Sequence, residues 1–463
     1  MRSDKATPMH PATLAAHRFG FSETSLQPLK SDPRGWVLAQ FREPQPLDER
    51  GLMASAEAGV LTRQVLSAVL NGAVNNVAPA APADMASTAP AVVAATDPNR
   101  QLLRRANAQA VQRRWQHVVA TGTPVYERWV MFWANHFSVA ATKGSMLGLV
   151  WPFEREAIRP HATGRFVDLA RAATLHPAML LYLDNAQSFG PGSRAGQRGS
   201  RGLNENLARE LLELHTLGVN GGYTQADVAE LAKLLTGWTV DRETAQSRFV
   251  AAWHEPGPKR VLGQSYPEGP QALEALLTDL SRHPSTARFV ATKLARHFVA
   301  DDPPAPLVDA LANRFRASDG DLSALADALF THELTWQSTT PPKFKRPEEL
   351  VLSAHRVLKL PVVQAERLNT VLAQMGQPVG RAPSPQGWPD RTEDWLAPDA
   401  LWKRTEWAAT FAQQHDQLAD ARQLATLSFG PDLGAETQRQ IERADSGAQA
   451  LALWLASPEF QRR

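Results

Sequence analysis

Residues 202–218 read Gly202-Leu203-Asn204-Glu205-Asn206-Leu207-Ala208-Arg209-Glu210-Leu211-Leu212-Glu213-Leu214-His215-Thr216-Leu217-Gly218. At about 100° per residue, Glu205, Asn206, Arg209, Glu210 and Glu213 fall on one arc, and Leu207, Ala208, Leu211, Leu212 and Leu214 on the other. One polar and one apolar face make an amphipathic helix that packs on a core. Gly218 follows it in the position where a helix stops. Just downstream, Thr224 and Asp227 form a capping box with Asp in place of Glu, which starts a helix to about Leu235.

The same periodicity recurs outward in both directions. It predicts helices over Asn99–Ala120, Pro124–Ala140 and Pro152–His176, helix pairs between Gln271 and His332, and helices over Pro347–Leu358, Asp399–Gln414 and Ala448–Ala456. Near the start, Pro11–Phe21 reads as a short helix stopped at Gly20, and Asp32-Pro33 as an N-cap with proline in the first turn. The expected fold is therefore all-α: packed helical hairpins around one extended core. Asp241–Pro270 is irregular, with room for short strands. Residues 76–95 are rich in alanine and proline and read as a disordered insertion. The expected division is an N-terminal helical segment over 1–70, a linker or insertion over 71–96 and a main helical domain over 97–463. No fixed repeat period supports a solenoid.

Bulk properties narrow the function classes. Lys and Arg total 49 against 47 Asp and Glu, a net charge of +2, which argues against a nucleic-acid binder. There is no cysteine, so disulfides, thiolate metal sites and a cysteine nucleophile are excluded. No window approaches the roughly 18 apolar residues of a membrane span. Met1–His10 has no signal-like apolar run, so the expectation is a cytoplasmic protein.

Several segments resemble one family. They are Glu127–Phe137 (ERWVMFWANHF), Arg159–Phe166 (RPHATGRF), His176–Asn185 (HPAMLLYLDN), Gly202–Gly218, His254–Lys259 (HEPGPK) with Leu262-Gly263, and His283–Arg288 (HPSTAR). Together they resemble the bacterial family called domain of unknown function 1800, from near Arg18 to around Trp388. Its members often look secreted and are often encoded beside a second family with a sulfatase-like fold. The resemblance thus implies a sulfatase-like partner protein and no assigned catalytic residues.

The polar arc of the 202–218 helix admits two readings. In one, Glu210 and Glu213 point into a cleft as an acid/base pair or as ligands of a divalent metal, with Arg209 orienting the substrate and Asn206 beside them. In the other, the arc is a solvated face laced by Glu205–Arg209 and Arg209–Glu213 ion pairs. The Gly/Ser/Arg loop over Ala186–Gly202 feeds this helix start, where free amides favour an anion, and Arg194, Arg198 and Arg201 are candidate contacts to it. Asn135, Asp184 and His254 are further candidate substrate contacts. His136 and His215 fall among apolar neighbours and read as buried core histidines. Two function classes follow. One is a carboxylate-based, metal-assisted or metal-free, hydrolase or lyase acting on an anionic or carbohydrate-like substrate; the other is a non-catalytic binding or assembly protein working with a sulfatase-like partner.

Overall fold

The helix Pro124–His136 is buried along most of its length, with Trp129, Phe132, Trp133 and His136 stacked down one side. These rings meet Phe41, Phe166 and Phe298 from three other segments. In this computed structural model, residues 9–75, 97–199, 202–337, 342–417 and 420–463 are described. The insertion expected over 76–95 and the candidate Arg201 lie outside them. One contiguous hydrophobic cluster runs from Ala12 and Phe19 through the central helices to Trp454 and Phe460. Around it the helices pack against one another, such as Pro284–Phe298 on Ala305–Ala317 and Pro398–His415 on Gly447–Ala456. The architecture is all-α, as the periodicity implies.

Local chemistry sets the helix starts. Asp32, Asp97, Thr224 and Asp321 each accept a backbone amide of the first turn, and Thr224 with Asp227 completes the capping box. Histidine followed by a helix start is a recurring variant. Nδ1 of His10, His176, His283 and His332 accepts the amide two residues on, at 3.3, 3.1, 3.2 and 3.2 Å. In the first three, proline follows at N1, where a missing N–H costs nothing.

Three departures from simple periodicity matter. The span expected as one helix over Pro152–His176 is broken. It runs through Val150–Phe153, a π-helical turn at Glu154–Ile158, a 3₁₀ turn at Arg159–His161, and the helix Phe166–Leu175. Pro160 cannot continue an α ladder there. The helix from Pro124 ends at His136, short of Ala140. The 202–218 helix starts at Asn206 and widens to π geometry over Leu211–Thr216.

The irregular excursion holds four three-residue strands in two antiparallel hairpins. β1 (Trp238–Val240) pairs with β2 (Ser247–Phe249), and β3 (Lys259–Val261) with β4 (Gln264–Tyr266). No helix among the described residues is long and apolar enough to cross a membrane.

Candidate functional site

Leu207, Ala208, Leu211 and Leu212 are buried, which turns Arg209, Glu210 and Glu213 toward a half-buried face. Of the two expected ion pairs, Glu205–Arg209 forms at 3.1 Å. Arg209 then donates to Gln225 Oε1 at 2.9 Å, and Gln225 returns a bond to Glu205 at 2.8 Å. Glu213 is held instead by the Tyr223 hydroxyl, which donates to its Oε2 at 3.1 Å. Burial and the neighbouring Glu213 charge push the Glu210 pKa up, against the pull of Arg209. Burial and the Glu210 charge likewise raise Tyr182, which comes from the helix Pro177–Tyr182. The acidic stripe therefore faces two tyrosines and a glutamine from other segments. Asn206 is exposed beside it.

The loop that leads into this helix is anchored. Gly190 donates to the Trp253 carbonyl at 2.9 Å, Gly192 to Glu255 Oε2 at 2.7 Å and Ala195 to the Ala252 carbonyl at 3.1 Å. A Cβ on Gly190 would stand 2.5 Å from the Glu255 backbone, so glycine is what admits this approach. Just ahead of the helix, the Asn204 side chain accepts the Asn206 amide at 2.9 Å. Arg194 and Arg198 are exposed, with no partner among the described residues.

Other candidates hold the fold in place. Asp184, in left-handed conformation at φ 60°, accepts from Lys143 Nζ at 2.6 Å, and Lys143 also donates to the Tyr182 carbonyl at 2.8 Å. This turn follows Tyr182 directly and so borders the acidic face. Asn135 lies elsewhere. Its side chain donates to the Trp388 carbonyl at 2.9 Å and accepts the Trp388 amide at 2.8 Å, clamping the chain at Trp388. It also lines a small cavity of about 80 Å³ beside Arg114, Glu348 and Trp388. His254 is buried. Its Nδ1 lies 2.7 Å from the Thr236 carbonyl and must donate there, which leaves Nε2 to accept from Lys259 Nζ at 2.9 Å and the Gly269 amide at 3.3 Å. Burial lowers its pKa, so it acts as a neutral staple of the excursion.

Sequence reasoning missed the two tyrosines, because neither belongs to the helix whose periodicity was legible. It also missed the densest charge in the interior. Lys343-Phe344-Lys345-Arg346-Pro347-Glu348-Glu349 is buried throughout. Glu348 accepts from Arg114 at 2.7 Å and from Trp115 Nε1 at 2.9 Å, and Arg114 also reaches Glu154 at 2.8 Å. Among the described residues no three of His, Asp and Glu come together as a metal would require.

A family model described as "Protein of unknown function (DUF1800)" matches residues 14–462, nearly the whole chain. The chain belongs to this family. No curated protein and no solved structure matches the chain.

Proposed function

We propose that this DUF1800 chain is a hydrolase or lyase in which Glu210 supplies a proton and Glu213 accepts one, acting on an anionic or carbohydrate-like substrate. The observation that carries it is the environment of Glu210. Half-burial and the Glu213 carboxylate one turn on raise its pKa, while Glu213 itself accepts the Tyr223 hydroxyl. A pair of neighbouring carboxyls whose surroundings set them apart is the division of labour that acid/base cleavage uses. Arg209, tied to Glu205 and Gln225, keeps its charge at the edge of the pair, and exposed Arg194 and Arg198 add positive field for an anionic substrate.

A second reading, an assembly protein working with a sulfatase-like partner, draws on Trp402, which is 71% exposed next to Leu401 on the helix Pro398–His415.

The test is turnover of 4-nitrophenyl glycosides, phosphate esters and sulfate esters, with unsaturated uronate products followed by absorbance. Activity lost in both Glu210→Gln and Glu213→Gln, with an unfolding midpoint no lower than that of wild type, supports the enzyme. Turnover of every substrate no faster than in the double variant removes it.

A further inference from the structure

A cavity of about 640 Å³ lies between the helix Ser55–Asn75 and the β1–β2 hairpin, on the side of the helix Pro177–Tyr182 where Leu181 points. That size suits a small organic molecule. Its walls are mainly apolar: Leu149, Leu181, Val240 and Trp253 contribute, with Thr62, Ser145, Gln187 and Thr239 between them, and Trp253 is fixed by Phe189 at 4.6 Å between rings. Its charged rim carries Arg63, Arg242 and Arg248 against a single aspartate, Asp241.

The wall is built to hold its shape. Arg63 donates to the carbonyls of Asp241 at 3.1 Å and Glu243 at 3.3 Å, so it stitches the hairpin turn to the long helix. Ala245 takes a left-handed φ of 56°, and its Cβ would be only 2.5 Å from a Cβ on Gly59. Glycine at 59 is thus what lets the turn close on the helix. Asp241 is occupied by the turn itself: its Oδ1 accepts the amides of Glu243 at 2.8 Å and Thr244 at 2.9 Å, and its Oδ2 meets Arg248 at 3.0 Å. Arg242 is exposed and has no partner among the described residues. An apolar chamber with one unpaired guanidinium and a second only partly neutralised at its mouth selects a molecule with an apolar body and one acidic head.

We propose that this cavity binds a small amphipathic anion, an apolar chain or ring bearing one carboxylate, with Arg242 and Arg248 at the head and Leu149, Leu181 and Trp253 along the body. The lining includes neither Glu210 nor Glu213, and the proposal does not depend on the enzymatic reading.

The experiment is isothermal titration of the full chain with decanoate and, as the neutral control of equal length, decanol. The expected result is saturable one-to-one binding of decanoate. Arg242→Gln with Arg248→Gln, both exposed and so safe for folding, should weaken decanoate by about tenfold or more while leaving decanol little changed, as loss of charge-assisted contacts requires. Ser145→Trp, at the rim, should abolish binding of both by filling the chamber, with the unfolding midpoint unchanged. Absence of saturable decanoate binding overturns the proposal. So does binding that survives Ser145→Trp, or equal sensitivity of decanoate and decanol to the arginine changes.

Discussion

Arg128 and Glu349, 221 positions apart in the chain, form an ion pair in which each side chain is 1% exposed. The pair joins the aromatic helix Pro124–His136 to the helix Pro347–Val357. Arg463 approaches the same carboxylate at 3.1 Å and Arg346 at 3.4 Å. One carboxylate thus serves three guanidiniums. Burial alone would raise its pKa, but Arg463, Arg128 and Arg346 hold it well below the ordinary range.

Glu349→Leu leaves those cations buried without their counter-charge. Breaking a buried pair from one side costs far more than the pair's net worth, so the expected loss is about 3–5 kcal/mol in urea unfolding. A loss under about 1 kcal/mol would show that the three arginines are neutralised by other means.

Glu127 gives the interior a pH dependence of definite sign. It accepts from Arg159 at 2.7 and 2.9 Å and meets His117 Nε2 at 3.0 Å. Burial works to raise its pKa, yet Arg159 and then His117 bring it from 4.5 to about 2. The folded chain therefore binds this proton less readily than the unfolded one. The stabilisation is fully present above about pH 4.5 and is lost as pH falls through about 2. Glu127→Gln should be less stable than wild type at pH 7, and the gap should narrow across that window in thermal melts. A gap independent of pH would contradict the assignment.

The fold was legible where one segment carries its own evidence. The amphipathic pattern of 202–218 and the Thr224–Asp227 box depend on neighbours within a turn; the box forms as read, and the helix forms from Asn206 with its apolar face buried. Lys343–Glu349 was illegible for the opposite reason. Five charges in seven residues read as surface, and only partners such as Arg128, Arg114 and Arg463, brought in by the tertiary fold, make burial affordable. The π turns at Glu154–Ile158 and Leu211–Thr216 shift phase in a way that a 3.6-residue template does not register. At the site, the carboxylates could be placed on one face, but their partners Tyr223 and Tyr182 depend on a turn and on a separate helix.

His176 performs two jobs with two nitrogens. Nδ1 accepts the Ala178 amide at 3.1 Å, and Nε2 meets Glu156 at 3.1 Å, where Ser55 also donates its amide at 2.9 Å. His176→Ala should cost about 1–2 kcal/mol, the usual value of a lost cap plus a partly buried contact. His176→Asn keeps a capping oxygen and should recover part of it. Equal destabilisation by both would place the whole effect on the Glu156 contact.

His215 is fully buried, and neither ring nitrogen has a hydrogen-bond partner among the described residues. Burial, then Lys293, takes its pKa to about 3, so the ring is neutral at ordinary pH. An unpaired polar group in a core costs stability, and an apolar side chain of similar volume removes that cost. His215→Leu should be neutral or stabilise by up to about 1 kcal/mol in chemical denaturation. Loss of more than about 2 kcal/mol would reveal a hydrogen-bonding role for the ring.

Glu210→Gln separates function from stability at the acidic face. In wild type the raised pKa comes from burial and then from Glu213, so the folded state favours the protonated acid. Its contribution to stability is full below the unfolded carboxyl pKa and is lost as pH rises through the folded value. Glutamine mimics the protonated form at every pH. At pH 7 the variant should match or exceed wild-type stability, by about 0.5 kcal/mol or less because solvent screens a half-buried pair, and the difference should vanish in acid. If Glu210 is the proton donor, the same variant loses turnover while gaining stability, the trade that active-site acids commonly make. A variant less stable than wild type at pH 7 would mean that the Glu210 carboxylate makes a contact in its charged form, and the proton-donor role would then have no physical basis.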